Sequence, residues 1–342
     1  MIKRSTAQDV AKAAGVSPTT VSFVLNNIEG MRISPETRDR VLEAARTLNY
    51  HPDSSAQKMA RGKTSVIGLV LRQNPEKAYA DLFIQDVMQG ISSVIRENGY
   101  QLLFIPLPPE DKEKSYSKLI NERHVDGLIV SGPTEDDYEL VEAFNDGAKI
   151  VLMGKILGSH IPFIDIDNQK SAEMAVAHLA ALGHERIGII TNAPLNFASS
   201  KDRLQGYRNV LEKNDLPFDE KLVVLGDRTP ESGYLAIQEL LKVEPLPSAV
   251  FIASDTVALG AMNALYENGI HVPDDMAVVG FDDIALARYV IPPLTTIHLP
   301  AYSLGLGAAN MLIQQINNDF KESSEIILQT RLIIRESSGR NL

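Results

Sequence analysis

The chain has 342 residues, of which 44% are hydrophobic and 23% are charged, as is usual for a soluble globular protein of two or three domains. It contains no Cys, which excludes disulfides and Cys-based zinc sites, and its seven His residues show no HxxxH or HExxH spacing. No apolar run approaches the roughly 20 residues that span a bilayer, and no export signal is evident, so we expect a cytoplasmic protein.

The net charge of −11 is divided unevenly along the chain. Residues 1–64 carry 10 Lys or Arg against 6 Asp or Glu, whereas the remainder carries 23 against 38. A basic head on an acidic body argues against general coating of nucleic acid, but it favours a local contact with DNA phosphates.

Three short helices are predicted in the head from their capping residues. Thr6 and Asp9 have the spacing of a capping box, and Gly15 is placed to end the first helix. Ser17-Pro18 and Ser34-Pro35 then begin a second and a third helix, with Ser as the N-cap and Pro in the first turn. Two short helices around a Gly-containing turn, backed by a third, predict a helix-turn-helix unit.

The second helix presents side chains that suit contact with DNA. Its expected exposed face consists of Thr19, Thr20, Ser22, Phe23 and Asn26. These residue types contact phosphates and base edges in protein–DNA interfaces. A small helical bundle that contacts another protein is the alternative, and the spacing alone leaves it open.

The body alternates short apolar runs with helical patterns. The predicted strands are VIGLVL, QLLFIPL, GLIVSG and KIVLMG in a first set, and ERIGIIT, LVVLGD, SAVFIAS and AVVGFDD in a second set. Such alternation predicts an α/β fold with two doubly wound parallel-sheet lobes. Ligands of such sheets bind beyond the carboxyl ends of the strands, so a cleft between the lobes is the expected small-molecule site.

No set of catalytic residues is evident in the sequence. It contains neither the GxxxxGK[ST] phosphate loop nor the GxSxG nucleophile elbow. The run GLGAAN at 305–310 lacks the third Gly of a dinucleotide fingerprint, and its small residues are better explained by close helix packing. We therefore expect no enzymatic activity, no cofactor and no metal.

The order of several motifs resembles the lactose-repressor (LacI/GalR) family of bacterial transcription regulators. The matching segments are TAQDVAKAAGVSPTTVSFVLN, ISPETRDRVLEAARTLNYHPD, DNQKSAEMAVAHLAALGHERIGII, DRLQGYRNVL, VFIASDTVALGAMNAL, VPDDMAVVGFDDI, PPLTTI and LIIRES. They cover nearly the whole chain in the order found in the family.

The resemblance implies roles for residues of the head. Base-reading positions fall on Pro18, Thr19 and Phe23, and phosphate-holding positions fall on Thr6, Thr20, Ser22 and Asn26. The family usually has Arg where Phe23 stands, and Phe cannot grip a guanine as Arg does. Phe23 then either packs on a thymine methyl group or is partly buried against the third helix.

A hinge helix at residues 53–60 is also implied by the resemblance. Eight residues are too few for a stable isolated helix, so we expect it to form when two copies pair on bent DNA. Ala56 and Met59 are the expected DNA contacts, with the apolar Met59 side chain wedged between base pairs in the minor groove. A plain polar linker is the alternative.

The resemblance further implies a domain plan in which the chain passes between the lobes three times. The expected ranges are a helix-turn-helix domain at 1–50, a hinge at 51–64 and an effector-binding and dimerisation domain at 65–342. Within that domain, lobe 1 takes about 65–161 and 294–323, and lobe 2 takes about 162–293 and 324–342. The two lobes are by the same resemblance expected to be like those of periplasmic binding proteins. We expect a homodimer, and since no leucine heptad follows Ser338, nothing in the sequence supports the four-chain bundle of some family members.

The candidate effector residues come from strand ends and from the resemblance together. They are Leu82, Phe83, Ser131, Lys155, Phe197, Arg203, Arg228, Ser254 and Asp282. A carboxylate at Asp282 suits two hydroxyl groups of a sugar, and Arg203 matches a ligand-gripping Arg. Asp283 is interpreted as a helix cap and Asp255 as structural.

Two departures from the family pattern keep the effector class open. The family often has an aromatic ring where Arg228 stands, so the stacking surface is either missing or supplied by Phe83, Phe197 or Tyr79. The polar pair that usually follows the strand KIVLM is here Gly154-Lys155, and Lys155, Arg203 and Arg228 together would make a cationic pocket that suits an acidic or phosphorylated effector.

We therefore predict a dimeric repressor of carbohydrate-utilisation genes that binds a near-palindromic double-stranded operator. A small sugar-like effector controls its DNA affinity allosterically, in either direction. A regulator with a purine, nucleoside or acidic effector is the first alternative. A solute-binding protein for transport and an enzyme acting on sugars are alternatives of other classes.

Overall fold

The computed structural model describes residues 5–26, 31–50, 63–108, 115–318 and 325–339. They form two compact units, Met1–Thr64 and Ser65–Leu342.

The first unit contains the three predicted helices, α1 (Ala7–Ala14), α2 (Pro18–Leu25) and α3 (Pro35–Thr47). Thr6 and Asp9 form the predicted capping box, and Gly15 ends α1 with a left-handed φ of +67°. Ser17 and Ser34 are the N-caps of α2 and α3, each with Pro in the first turn. The predicted helix-turn-helix unit is therefore confirmed.

A small apolar core joins these helices. Its fully buried members are Val10, Ala11, Ala14, Val21, Val24, Val41 and Ala45. The inward residues of each helix recur at helical spacing, so each short helix is stabilised by tertiary packing more than by its own propensity.

The second unit contains two six-stranded sheets that define two lobes. Lobe 1 holds strands β1 (Val66–Arg72), β2 (Gln101–Leu107), β3 (Gly127–Ser131), β4 (Ile150–Met153), β5 (Phe163–Ile166) and β11 (Glu325–Leu328), in the order β11-β5-β4-β3-β1-β2. All of its pairings are parallel.

Lobe 2 repeats this arrangement. It holds β6 (Ile187–Ile190), β7 (Val223–Val224), β8 (Ala249–Ile252), β9 (Ala277–Asp282), β10 (Thr295–His298) and β12 (Arg331–Ile333), in the order β12-β10-β9-β8-β6-β7. Only the pairing of β12 with β10 is antiparallel among those described. The predicted α/β fold with two doubly wound lobes is confirmed.

Helices connect the strands of both lobes. They are α4 (Pro75–Ala78), α5 (Phe83–Glu97), α6 (Ser115–Asn121), α7 (Tyr138–Asn145), α8 (Asn168–Ala181), α9 (Ala198–Lys213), α10 (Pro230–Leu240), α11 (Asp255–Glu267) and α12 (Ala301–Ile316). Three 3₁₀ helices lie at Glu220–Leu222, Ala285–Arg288 and Glu336–Ser338. One hydrophobic cluster extends through both lobes, since it contains residues of β1 and β3 as well as of β6, β8 and β9.

The three passages between the lobes lie later in the chain than predicted. We expected them near 159–164, 291–295 and 322–326. The structure places them between Ile166 and Asn168, between His298 and Ala301, and between Leu328 and Arg331. The predicted lobe boundaries were wrong because β5, β10 and β11 each pair within the lobe that precedes the passage. Periodicity shows that a strand exists, but it does not show which strand is its neighbour.

The small residues of the 305–310 run allow close helix packing, as predicted. Helix α12 lies against α5, and a Cβ built on Gly305 would lie 2.1 Å from the Val87 carbonyl oxygen. A Cβ built on Gly90 would likewise lie 2.1 Å from the carbonyl oxygen of Tyr302. Only Gly permits the two backbones to approach this closely.

Candidate functional site

A cavity of about 110 Å³ lies between the two lobes, at the carboxyl ends of strands from both sheets. Lobe 1 contributes side chains that follow β1, β3, β4 and β5, and lobe 2 contributes side chains that follow β6, β8, β9 and β10. This is where an open parallel sheet is expected to bind a ligand.

Seven of the nine candidate effector residues line this cavity. They are Phe83, Ser131, Lys155, Arg203, Arg228, Ser254 and Asp282. Leu82 and Phe197 are not among the lining residues. Leu82 packs against a hydrophobic cluster of lobe 2, and Phe197 is buried with the Arg228 guanidinium 4.3 Å above its ring. An apolar side chain next to a cleft can pack against other protein side chains as well as against a ligand. The sequence therefore did not distinguish residues that line the cavity from residues that pack beside it.

Asp282, at the end of β9, is held in place by hydrogen bonds from two residues that follow the neighbouring strand β8. Its Oδ2 accepts one from Ser254 Oγ at 3.1 Å and one from the backbone N–H of Asp255 at 3.3 Å. The residue is only 9% exposed and has a left-handed φ of +123°. Burial raises the pKa of Asp282 well above its ordinary value, although Arg203 opposes this. Such a strained, buried carboxyl at a cavity is typical of a functional site.

Arg203 is buried in α9 with its guanidinium oriented by three contacts. Its Nε donates to Asn168 Oδ1 at 2.9 Å, and its NH1 donates to the carbonyl oxygen of Ala253 at 2.6 Å. The guanidinium also lies 3.7 Å over the ring of Phe281. Burial lowers the pKa of Arg203 to about 10, so the side chain remains charged at neutral pH.

Several polar lining residues were not predicted. They are Asp81, Asp165, Asn168, Asn192 and Ser199. Asp165 and Asn168 flank the end of β5, which we did not recognise as a strand, so the strand-end rule was not applied there. Burial raises the pKa of Asp81, and the charge of Arg228 opposes that rise.

The charged lining residues balance one another. Three acids, Asp81, Asp165 and Asp282, face the cavity together with three cations, Lys155, Arg203 and Arg228. Lys155 is moreover paired with Asp202, with 2.9 Å between Nζ and Oδ2. The three cations of the predicted cationic pocket are therefore faced by three acids, which come from segments that the sequence did not place nearby.

The neighbouring acids are structural. Asp255 accepts from Thr296 Oγ1 at 2.7 Å and from the Ile284 backbone N–H at 3.1 Å, as its structural interpretation requires. Asp283 was predicted to cap a helix, and this prediction was wrong. Its carboxylate is paired with Arg335 and His298 instead.

Helix α2 presents most of the candidate DNA contacts. Pro18 and Thr19 are exposed, and Thr20, Ser22 and Phe23 are partly exposed. Asn26 differs from the prediction because it is only 8% exposed and its Nδ2 donates to Ser22 Oγ at 3.0 Å. Its position at the end of α2 turns the amide back along the helix, which periodicity alone does not reveal. Thr6 is engaged in the capping box through a hydrogen bond to Asp9.

Ala56, Met59 and the rest of the predicted hinge at 53–60 lie outside the described residues. Within the ranges that the structure describes, no helix has the length and apolar content needed to cross a membrane. In the same ranges, no cluster of three or more acidic or His side chains is placed to hold a metal ion.

Comparisons with known proteins bear on both units. The family described as bacterial regulatory proteins, lacI family, matches residues 6–53, and the periplasmic binding protein-like domain matches residues 176–338. The HTH-type transcriptional regulator CelR of Thermobifida fusca is 33% identical over 98% of both chains. The HTH-type transcriptional repressor PurR of Haemophilus influenzae (strain ATCC 51907 / DSM 11121 / KW20 / Rd) is 34% identical over 97% of this chain and 98% of its own. The chain belongs to the LacI family of bacterial regulatory proteins.

Solved structures of LacI-family proteins resemble it throughout. A complex of the transcriptional regulator CelR with cellobiose is 33% identical, with a TM-score of 0.74, over 98% of this chain and 100% of that one. The lac repressor dimer bound to operator and the anti-inducer ONPF is 29% identical, with a TM-score of 0.84, over 99% of this chain and 100% of that one. The chain is thus a LacI-family transcriptional regulator, as predicted, and its relatives are regulators and not enzymes.

The interlobe cavity of this LacI-family protein contains a carboxyl group whose titration we expect to change the stability of the fold. Burial raises the pKa of Asp165 from 3.8 to about 6, against the opposing backbone N–H of Ile166. In the unfolded chain this carboxyl is ionised at pH 5 and at pH 7, whereas in the folded chain it binds a proton at pH 5. Its contribution to the free energy of unfolding is therefore present at low pH and falls by about 1 kcal/mol between pH 5 and pH 7.

Asp165→Asn should remove that fall. The midpoints of thermal unfolding of wild type and variant are measured at pH 5 and pH 7. The midpoint of the variant should rise relative to that of wild type as the pH increases. Asp255, whose pKa burial also raises to about 6, is present in both proteins, so it cancels in the comparison. A constant difference between the two midpoints would contradict the prediction.

Proposed function

We propose that the chain is a homodimeric repressor that binds a near-palindromic operator and responds to a small neutral sugar in its interlobe cleft. The observation that carries the effector assignment is the charge-balanced ring of carboxyl and guanidinium groups around the cavity. Buried carboxylates accept hydrogen bonds from hydroxyl groups, and guanidinium groups donate to hydroxyl and ring oxygens.

The balance of charge favours a neutral ligand over an acidic or phosphorylated one. An added phosphate would place about two negative charges beside Asp81, Asp165 and Asp282, at a considerable desolvation cost. A polyhydroxylated neutral molecule pairs with both signs of charge at once. The relative CelR, whose structure contains cellobiose, supports this choice.

The size of the cavity bears on how the ligand enters. Its volume of about 110 Å³ is below the roughly 300–1,000 Å³ of typical sites for drug-sized ligands. A sugar therefore requires the lobes to separate for entry and to close afterwards. In a LacI-family regulator, such movement of lobe 1 would change the spacing of two DNA-binding heads and hence the operator affinity.

An exposed apolar segment supports the dimer. Within 286–291, Leu286 is 46% exposed, Tyr289 is 74% exposed and Ile291 is 94% exposed. Contiguous apolar side chains on a surface are typical of an interaction site. We assign a second copy of this chain as its occupant because the similar lac repressor structure is a dimer on its operator.

The head is assigned to DNA through α2, with Pro18, Thr19 and Phe23 directed to base edges and Thr6, Thr20 and Ser22 to phosphates. Asn26 keeps a phosphate role only if its amide turns away from Ser22. Ala56 and Met59 are proposed to contact the minor groove.

Selection of operators from a random duplex library by the full chain tests the DNA assignment. A preferred near-palindromic sequence supports it, and enrichment of no sequence would refute it. A thermal-shift screen of neutral sugars, sugar phosphates, purines and nucleosides tests the effector class. Stabilisation by a phosphorylated sugar or a purine alone would contradict the neutral-sugar assignment.

Phe23→Arg should change the selected operator at one position of each half-site. The introduced guanidinium can donate two hydrogen bonds to a guanine, which is worth about 1–3 kcal/mol of discrimination against other bases. Phe23→Leu is the control, because it keeps an apolar side chain and adds no donor. An unchanged selection by the Arg variant would show that position 23 packs against the rest of the head and does not read bases.

A further inference from the structure

Arg228 of lobe 2 reaches across the cleft to lobe 1. It lies between β7 and α10 and has a φ of +64°, a left-handed conformation that residues with a side chain rarely adopt. Its NH1 donates to the carbonyl oxygen of Arg72, the last residue of β1, at 3.1 Å. A strained residue that makes a contact between lobes points to a role in their relative placement.

The Arg228 guanidinium is enclosed from both lobes. On the lobe 2 side it lies 4.3 Å from the centre of the Phe197 ring. On the lobe 1 side it lies beside Gly132, where an added Cβ would come within 3.0 Å of its NH2. The absence of a side chain at Gly132 thus leaves the space that the planar guanidinium occupies.

The charge of Arg228 also depends on the closed arrangement. Burial lowers the pKa of Arg228. The negative charge of Asp81 in lobe 1 opposes this lowering more strongly than that of Asp282 in lobe 2 does. A buried cation is tolerated only when it is paired and hydrogen-bonded. Separation of the lobes would remove both the Asp81 charge and the Arg72 carbonyl from its surroundings.

Other contacts cross between the lobes at the neighbouring residues. Thr134 and Phe197 form an isolated antiparallel backbone bridge. Ion pairs also cross here, between Glu135 and Lys201, between Lys77 and Asp227, and between Lys155 and Asp202. These pairs are partly exposed and contribute little. Arg228, by contrast, is hydrogen-bonded to lobe 1 and stacked on a ring of lobe 2, so we expect it to contribute more than these pairs.

We infer that Arg228 is a positioning residue that holds lobe 1 closed on lobe 2 and makes effector affinity depend on that closure. The inference rests on the proposed function only in assuming that the effector lies in this cleft. The closing role itself concerns the chain without effector. Arg228 thereby links ligand binding to the lobe movement that a regulator requires.

The absence of Cys makes the test direct. Exposed Glu142 of α7 and exposed Glu212 of α9 lie on separate lobes, so Glu142→Cys and Glu212→Cys accept a donor and an acceptor fluorophore. Labelled full-length chain is mixed with excess unlabelled chain, so that any oligomer contains one labelled copy. Energy transfer between the lobes is then measured in single molecules without effector.

In this background, Arg228→Ala should add a population with lower energy transfer. Arg228→Lys should give a smaller change, because an ammonium keeps the charge but neither stacks nor presents a planar fork. Arg208→Ala is the matched control, since Arg208 lies 4.7 Å over the Phe218 ring on the exposed surface of lobe 2. Circular dichroism establishes whether each variant is folded. If Arg228→Ala does not fold, the energy transfer of Arg228→Lys tests the inference instead.

Identical transfer in wild type and in the folded Arg228 variants would overturn the inference. Where the ligand screen finds a sugar, its dissociation constant should rise roughly 10- to 100-fold in Arg228→Ala, as expected for a lost charged hydrogen bond. It should not change in Arg208→Ala. A screen that finds no ligand would refute the effector assignment, whereas the transfer measurement without ligand would still test Arg228.

Discussion

Asp282→Ala should abolish the effector response and leave operator binding without effector unchanged. The wild-type carboxylate accepts from Ser254 and Asp255, lines the cavity and faces the charge of Arg203. The Ala variant removes an acceptor for ligand hydroxyl groups and leaves Arg203 without this partner. Hydrogen bonds to a charged group are worth about 1.5–3 kcal/mol each. Loss of the two that the carboxylate would accept from ligand hydroxyl groups should therefore weaken effector binding by at least about 100-fold.

The measurement is effector titration by calorimetry, combined with operator binding by fluorescence anisotropy at fixed salt. Asp282→Asn keeps the size and one acceptor oxygen, and it should give an intermediate affinity. Asp275→Ala removes an exposed acid of the same lobe, paired with His271, and should have no effect. An undiminished response in Asp282→Ala would remove this residue from the site, whatever the ligand is.

Gly305→Ala should destabilise the body by about 3 kcal/mol, because one methyl group added in a close-packed contact forces the backbones apart. The built Cβ lies 2.1 Å from the Val87 carbonyl oxygen and 3.1 Å from the Ile91 nitrogen, neither of which can rotate away. The preference of helices for Ala over Gly, about 1 kcal/mol, opposes this cost without exceeding it. The midpoint of thermal unfolding should fall by roughly 6–12 °C for a body of this size.

Gly307→Ala in the same helix provides the control for this comparison. The nearest atom to its built Cβ is Ile164 Cδ1 at 2.4 Å, the end of a side chain that can change rotamer. Its midpoint should therefore lie within a few degrees of wild type. Equal midpoints for wild type and Gly305→Ala would show that α5 and α12 separate without cost, and the close-packing explanation would fail.

The cleft shows how far strand-end reasoning extends. Ser131, Ser254 and Asp282 were predicted because each ends or follows a recognised strand, and all three line the cavity. Asp165 was missed because β5 alternates buried and partly exposed residues and is followed at once by α8, so it lacks the continuous apolar run by which the other strands were recognised. Asp81 was missed because it follows the short helix α4 and not a strand. Only the tertiary structure shows that it lines the cavity together with Arg228.

The sequence by itself determined the local elements: capping box, Gly15 terminator, Ser-Pro helix starts and alternating strands. These depend on residues a few positions apart, whose hydrogen bonds and periodicity are set by covalent geometry. Only the tertiary structure decided which strands pair, where the chain passes between lobes, and which charges meet. The neutralisation of Arg203 and Arg228 by Asp81, Asp165 and Asp282 joins positions far apart in the chain, and their mutual distance is a property of packing that no local pattern encodes.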